Sequence, residues 1–364
     1  MTRPTVLVTT ANGRTGRAAV RHLLAAGYPV RALVTRDDAR AAALRAEGAA
    51  VVVGSLYDWR DLRRAMAGVQ RAYHCSPFDA RHLHSSTLVA LAAEAEGLEV
   101  VALMSGWNPH ATHPSVMQRE HWIANNLYRR LPVDVIHVNP GMFAFPYFLG
   151  LPMVVHFGVL ALPMGEGRNA PPSAEDIGAV AAHALMRPER FVGRCLRPTG
   201  PRLLSPAEAA QAMGRVLGRR VRYRPVSTRM FIKAARAQGF PLFQTAQVRH
   251  YAEELRRGVY ADVSDHVEEV TGRPPESFDE TAKRYFADPG LVMPGLRRGS
   301  RLAAIALALR MMAARVPDLD AWEAARDYPR IAGGQLAHES ASWRGARERR
   351  ELVLLPPVGG GART

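Results

Sequence analysis

The sequence predicts an α/β protein: a Rossmann-like, doubly wound parallel sheet with a smaller, mostly helical substrate lobe. Three observations carry this expectation. Over the first 160 residues β-rich runs alternate with helical runs through short connections, the rhythm of a parallel sheet covered by helices. A glycine-bearing turn, Asn12-Gly13-Arg14-Thr15-Gly16, separates the first strand from the first helix. Beyond that region strand signals thin out and capped helices take over.

Thr5 to Thr10 is the first β-rich run, and the helix after the turn carries Val20, Leu23 and Leu24 on one face before Gly27 stops it. Strands follow over Tyr28 to Val34, Ala50 to Val53, Val69 to Cys75, Glu99 to Met104 and Val133 to Val138. Helices separate them over Asp38 to Ala46, Asp58 to Met66, His82 to Ala95 and Ser115 to Arg130. The count is six parallel strands. Asn139-Pro140-Gly141 then opens an aromatic and proline-rich stretch, too apolar to leave in water as a linker.

Ser173 with Asp176 starts the next helix, and Ser205-Pro206 with Glu208 makes a capping box for another, stopped at Gly218. Further helices are expected over Thr228 to Gln238, Thr245 to Arg257 and Phe278 to Phe286. Ser300 to Arg315 reads as a packed or dimer-contact helix, with membrane attachment as the alternative, and Ala321 to Arg326 as a short one, with weak structure from Gly333 onward. The expected division is a dinucleotide-binding domain over 1–160, a smaller lobe over 161–290 whose strands return to the main domain, and a helical extension with a tail over 291–364.

Composition narrows the function classes. The 364 residues are 48% hydrophobic, enough for a sizeable core. Two distant cysteines, Cys75 and Cys195, exclude a disulfide framework and suit a reducing cytoplasm. The longest apolar run is too short to span a bilayer, and no membrane partner is expected. A formal charge of +15 invites a phosphate-backbone reading. The cations are nearly all arginine and are scattered along the chain, so no nucleic-acid partner is expected. The histidine groups at 82–84 and 110–113 lack cysteine or acidic partners, so no metal is expected.

The turn supplies the sharpest chemical signal. A dinucleotide pyrophosphate needs backbone N–H groups at a helix start, and glycine lets the chain approach closely. Gly13 and Gly16 meet that need, flanked by Asn12, Arg14 and Thr15, while Thr10 stands where a first glycine is usual. After the second strand, Arg36 precedes Asp37 and Asp38. Arginine there pairs with a 2′-phosphate and favours NADP(H), with Arg14 as a second contact, whereas the adjacent acids leave room for NAD(H). The segment Gly54 to Asp58 is either an adenine-side contact or an ordinary loop, and Cys75 with Ser76 either lines the ribose or is an ordinary strand end.

The chain resembles the NmrA-like type of atypical short-chain dehydrogenase/reductase over about residues 5 to 285. The resemblance rests on Thr9 to Gly16, Gly54 to Asp58, Asn139 to Phe143, Ser173 to Gly178, Thr199-Gly200-Pro201 with Leu204 to Glu208, and Thr271 to Pro275. It implies a nicotinamide-binding domain with a small substrate lobe. Its members' roles run from quinone or ketone reductases, through enzymes that tailor small metabolites, to cofactor-binding redox sensors.

A typical short-chain reductase carries a Tyr and a Lys four residues apart after strand five, the Lys lowering the Tyr pKa for proton donation. Here that region reads His113 to Trp122 without such a pair. Ser105 ends strand five, where this fold presents groups to substrate. His121 is the nearby group able to protonate a developing alkoxide, and Arg119 or Arg168 can stabilise an oxyanion. The alternatives are a structural helix histidine and a turn serine. Trp107, Phe143 and Tyr147 are candidate walls against a flat, hydrophobic aromatic substrate. The expectation is an NAD(P)H-dependent oxidoreductase acting on a conjugated carbonyl or quinone. Its rivals are a non-catalytic sensor and a non-redox dehydratase or epimerase, and a homodimer is the default assembly.

Overall fold

The computed structural model describes residues 3–291, 299–329 and 331–348. Five β–α units and a sixth strand open the chain: β1 (Val6–Val8), α1 (Arg14–Ala25), β2 (Val30–Val34), α2 (Ala39–Ala46), β3 (Ala50–Val53), α3 (Trp59–Met66), β4 (Arg71–His74), α4 (His82–Ala95), β5 (Val100–Met104), α5 (Val116–Tyr128) and β6 (Asp134–Val138). Polar caps set several helix starts. Asp38 accepts from the N–H groups of Arg40 and Ala41, Asp58 from Arg60, and Ser115 from Gln118.

After β6 come α6 (Leu151–Phe157), β7 (Val159–Leu162), α7 (Ala174–Met186), β8 (Cys195–Leu196), α8 (Pro206–Leu217), β9 (Arg222–Pro225), α9 (Thr228–Ala237), α10 (Leu242–Arg256), α11 (His266–Thr271) and α12 (Phe278–Ala287). The last described elements are α13 (Arg301–Ala313), α14 (Leu319–Ala324) and α15 (Ala341–Glu348).

The main sheet has seven strands in the order β3-β2-β1-β4-β5-β6-β8, and its ladders are all parallel. This corrects the count of six: β8 pairs with His137 and Val138 through two residues, too short a ladder to show alternation. The winding reverses between β1 and β4, which opens the crevice at their carboxyl ends where such folds bind ligands. Apolar side chains cover both faces, Val6, Val8, Ala32 and Ile136 on one side and Leu7, Leu33, Val101 and Leu103 on the other. α7 lies directly against α1 because Gly178 has no side chain. A Cβ there would fall 2.5 Å from the Ala18 Cβ and from the Thr15 carbonyl oxygen.

The second lobe is built on the parallel pair β7–β9 and helices α8 and α12, around Phe148, Leu160, Met213, Phe278 and Tyr285. The C-terminal extension docks onto both parts. The Gln335 N–H donates to the Thr112 carbonyl at 2.9 Å, the Ala337 N–H to Glu254 at 2.9 Å, and Arg249 pairs with Asp320 and Glu323. The chain beyond Gly333 is more ordered than expected, since α15 forms within it; residues 349–364 of the expected tail lie outside the described residues. α13 is not packed in the core of the chain, since Leu302, Ile305, Leu309 and Met312 face outward. Among the described residues no helix is long and apolar enough to cross a membrane.

Candidate cofactor and acceptor site

The turn between β1 and α1 closes on itself. The Gly13 N–H donates to the Thr10 carbonyl at 2.7 Å, and the Ala11 N–H reaches the Leu33 carbonyl of β2 at 3.2 Å. Gly16 leaves no room for a side chain, and Gly13 leaves little. An added Cβ would meet the Thr10 carbonyl oxygen at 3.0 Å from Gly13 and at 2.6 Å from Gly16. Thr10 adopts φ 47°, the left-handed region that favours glycine, which explains why a first glycine is usual there. Its hydroxyl donates to the Cys75 carbonyl at 2.8 Å, and the Cys75 N–H donates to Thr9 Oγ1 at 3.1 Å. The crevice between β1 and β4 is thus laced shut at its base.

α1 starts without a side-chain cap and without an acid in its first turn, so its N–H groups face the crevice with their partial positive charge uncompensated. Asn12 Oδ1 is buried beside this turn without a hydrogen-bond partner among the described residues. An orphaned polar atom and an uncapped helix start are what a bound dinucleotide would satisfy, so the residues fit the group. Thr15 is sealed below, accepting from the Tyr73 hydroxyl at 3.1 Å.

The end of β2 decides between the two acids and the one base. Asp37 is held by Arg45 through both carboxylate oxygens, at 2.7 and 3.0 Å. Asp38 caps α2 and binds Arg40. Each has its carboxyl held below the usual range, first of all by the hydrogen bond from its arginine. Arg36 is exposed and makes no ion pair among the described residues. Arg14 is engaged elsewhere, its Nε donating to the Leu291 carbonyl at 2.6 Å while its guanidinium lies 4.3 Å over the Phe145 ring. Asp58 is likewise taken by the α3 cap and Arg60, which hold it at about 2. Ser76 bonds Ser85 at 2.8 Å.

At the end of β5 the structure sets Ser105 and His121 among groups that the sequence did not bring to them. The Ser105 hydroxyl is buried and has no partner among the described residues. Gly106 follows it, and a Cβ there would collide with Gln118 Oε1 and fall 3.3 Å from His121 Cδ2. Gln118 and His121, three residues apart on one face of α5, therefore sit directly over the Ser105-Gly106 strand end. Asn139 reaches the same strand end from β6, donating to the Gly106 carbonyl at 2.6 Å. His82, at the start of α4, packs edge-on against His121 with ring centroids 4.1 Å apart. Gln118, His82 and Asn139 were missed. The glycine after Ser105, read together with the i, i+3 spacing of Gln118 and His121, was the available signal.

Burial sets the protonation of this cluster. It holds His121 well below its ordinary value, aided by neighbouring His82, and lowers His82 itself to about 4. His121 is therefore a neutral imidazole at neutral pH, able to donate an N–H hydrogen bond but not to serve as an imidazolium acid; this corrects its expected role. Glu120 accepts from the Leu83 N–H at 3.2 Å, and burial raises it to about 7.

Several expected site residues are committed elsewhere. Arg119 donates to the carbonyls of His113 at 2.6 Å, Pro114 at 3.0 Å and Pro329, which makes it a strap for the extension rather than an oxyanion partner. Arg168 pairs at the surface with Glu208 at 3.4 Å and donates to the Leu203 carbonyl at 3.2 Å. Trp107 is buried with its indole N–H on the Val259 carbonyl, and Tyr147 is fully buried against Phe278. Both are core residues rather than walls, because the segments that carry them fold back into the second lobe. Phe143 remains half-buried, 6.0 Å from Phe145 in an edge-on pair.

Among the described residues one trio of metal-type donors meets, Asp265, His266 and Glu269. Arg194 holds both Glu269 oxygens, and His266 Nδ1 accepts the Arg197 N–H at 2.8 Å, so two of the three residues already have partners.

Sheet order, reversal point and glycine turn define the class: a Rossmann-type protein with a dinucleotide-binding crevice. Within that class the chain belongs to the NmrA-like family, whose profile matches residues 2–272. It is 30% identical over 284 residues to the NAD(P)H azoreductase of Xenophilus azovorans, spanning 78% of this chain and 98% of that protein. It is also 30% identical over 289 residues to a (4-alkanoyl-5-oxo-2,5-dihydrofuran-3-yl)methyl phosphate reductase of Streptomyces griseus, spanning 77% and 97%. The NADPH-dependent quinone oxidoreductase of Escherichia coli, solved with NADPH, superposes with a TM-score of 0.68 at 22% identity, over 77% of this chain and 99% of that one.

Proposed function

We propose that this protein is an NADP(H)-preferring oxidoreductase that reduces a hydrophobic, conjugated carbonyl or quinone-like small molecule in the cytoplasm. The observation that carries the cofactor preference is the pairing at the end of β2: both acids are neutralised by their own arginines, leaving Arg36 exposed for a 2′-phosphate. The names of the azoreductase and of the furanyl phosphate reductase support reduction of a conjugated acceptor.

The chain's own residues divide the work. Gly13, Gly16 and the uncapped start of α1 would hold the pyrophosphate, Asn12 Oδ1 would meet a donor of the bound group, and Arg36 would hold the 2′-phosphate. The nicotinamide, when bound, supplies hydride. Ser105, Gln118 and neutral His121 would orient the acceptor over β5, offering hydroxyl, amide and imidazole hydrogen bonds to its oxygen as negative charge develops. Phe143 would give the acceptor an apolar edge. A conjugated acceptor delocalises that charge, which is why a site without a strong protein acid suffices.

Steady-state reduction of naphthoquinone, an azo dye and an aliphatic ketone with NADPH tests this reading. Turnover of the conjugated acceptors and none of the aliphatic ketone is expected. Faster turnover of the ketone would overturn the substrate class.

A further inference from the structure

α13 presents an apolar stripe to the outside. Leu302 is 77% exposed, Leu309 57%, Met312 61% and Ile305 41%. At 100° per residue these four fall within an arc of about 80°, while Ala304 turns the opposite side inward. Four large apolar side chains on one exposed face mark a surface that meets something apolar.

The charges around the stripe say what. α13 packs on α6 and α9, and these three helices carry Arg229, Lys233, Arg236, Arg301 and Arg310 with no aspartate or glutamate. Arg229, Arg236 and Arg310 are exposed. The Lys233 ammonium donates to the Met312 carbonyl at 2.9 Å, tying the α9 cations to the end of the stripe. Arg301 lies 5.7 Å over the Phe157 ring at its start. Several surface arginines elsewhere are paired with acids, as in Arg17–Glu47, Arg45–Asp37 and Arg215–Asp279. Two copies meeting through this face would set cation against cation. An apolar stripe on helices that carry cations and no acids instead matches acyl chains beneath anionic headgroups.

We infer that the face formed by α13 and α9 is a peripheral docking surface for an anionic lipid bilayer, with Leu302, Ile305, Leu309 and Met312 entering the headgroup boundary and Arg229, Arg236 and Arg310 meeting lipid phosphates. The chain lies on the bilayer rather than crossing it. α13 with its apolar stripe lies beyond the family-matched region, and α9 lies within it. The inference stands apart from the reduction chemistry and is independent of its outcome.

The test is cosedimentation of the full chain with phosphatidylcholine vesicles with and without phosphatidylglycerol, at low and high salt. The protein should pellet with the anionic vesicles at low salt and stay in the supernatant with phosphatidylcholine alone. The exposed double variant Leu302→Ser with Leu309→Ser should lose binding while keeping its circular dichroism spectrum, and Arg229→Gln and Arg236→Gln should each weaken binding roughly fivefold. Failure to pellet with anionic vesicles, or undiminished binding by the serine variant, overturns the inference. So does a wild-type dimer in sedimentation velocity that the serine variant dissolves, since the stripe would then belong to a second copy.

Discussion

The Thr10 hydroxyl donates to the Cys75 carbonyl at 2.8 Å while the Thr10 backbone holds φ 47°, so one residue both strains and ties the crevice between β1 and β4. Left-handed geometry costs a β-branched residue about 1–2 kcal/mol, and a hydrogen bond of this kind returns about 1 kcal/mol. Thr10→Gly should therefore stay within about 1 kcal/mol of the parent, since it loses the bond and the strain together. Thr10→Ala keeps the strain and loses the bond, and should cost about 1 kcal/mol. Urea unfolding of the two variants checks the order.

Arg36 carries the cofactor preference. Removing a charge-assisted hydrogen bond to a phosphate costs about 1.5–3 kcal/mol, so Arg36→Ala should weaken NADPH binding about ten- to a hundredfold and leave NADH binding nearly unchanged. Fluorescence titration with both cofactors measures it. Equal weakening of the two would mean that Arg36 does not meet the 2′-phosphate.

Burial raises the Glu120 carboxyl to about 7, so between the ordinary carboxylate value and pH 7 the folded protein binds a proton that the unfolded chain has released. Stability from this group is complete at acid pH and lost as pH rises through 7. Glu120→Gln keeps an acceptor for the Leu83 N–H and removes the ionisation. Allowing for partial exposure, it should be more stable than the parent by about 2 kcal/mol above pH 7, with the difference closing toward pH 5. Thermal melts of both proteins across that range follow the difference directly.

His121 is neutral at physiological pH, so the kcat/KM profile should show no limb near pH 6.5 that disappears on substitution. His121→Gln should lower kcat about tenfold through loss of one positioned donor and leave the shape of the profile unchanged. A limb abolished by the substitution would restore the imidazolium role.

The opening units were legible because each carries its own punctuation. β1 to β6 appear as short apolar runs, and Asp38, Asp58, Ser115, Ser173 and Ser205 cap the helices expected after them. β8 has two residues and β9 reads Arg-Tyr-Arg-Pro, so neither shows a buried face. The glycine turn was legible for the same local reason as the caps. On the acceptor side only Ser105 and His121 were legible, because Gln118, His82 and Asn139 join them through tertiary packing of α4, α5 and two strand ends. Aromatic character alone misplaced Trp107 and Tyr147, since burial in a core is the commoner fate of such side chains.

The most direct test of the central claim follows the reduced-nicotinamide absorbance of NADPH with the protein, before and after adding a naphthoquinone, with Gly16→Val as the control whose added side chain would fall against the Thr10 carbonyl. The account predicts tight binding of NADPH over NADH, absorbance that falls only when the quinone is present, and neither effect in the variant. Tight binding with no loss of absorbance against conjugated acceptors would contradict it and leave a cofactor-binding protein that does not turn over.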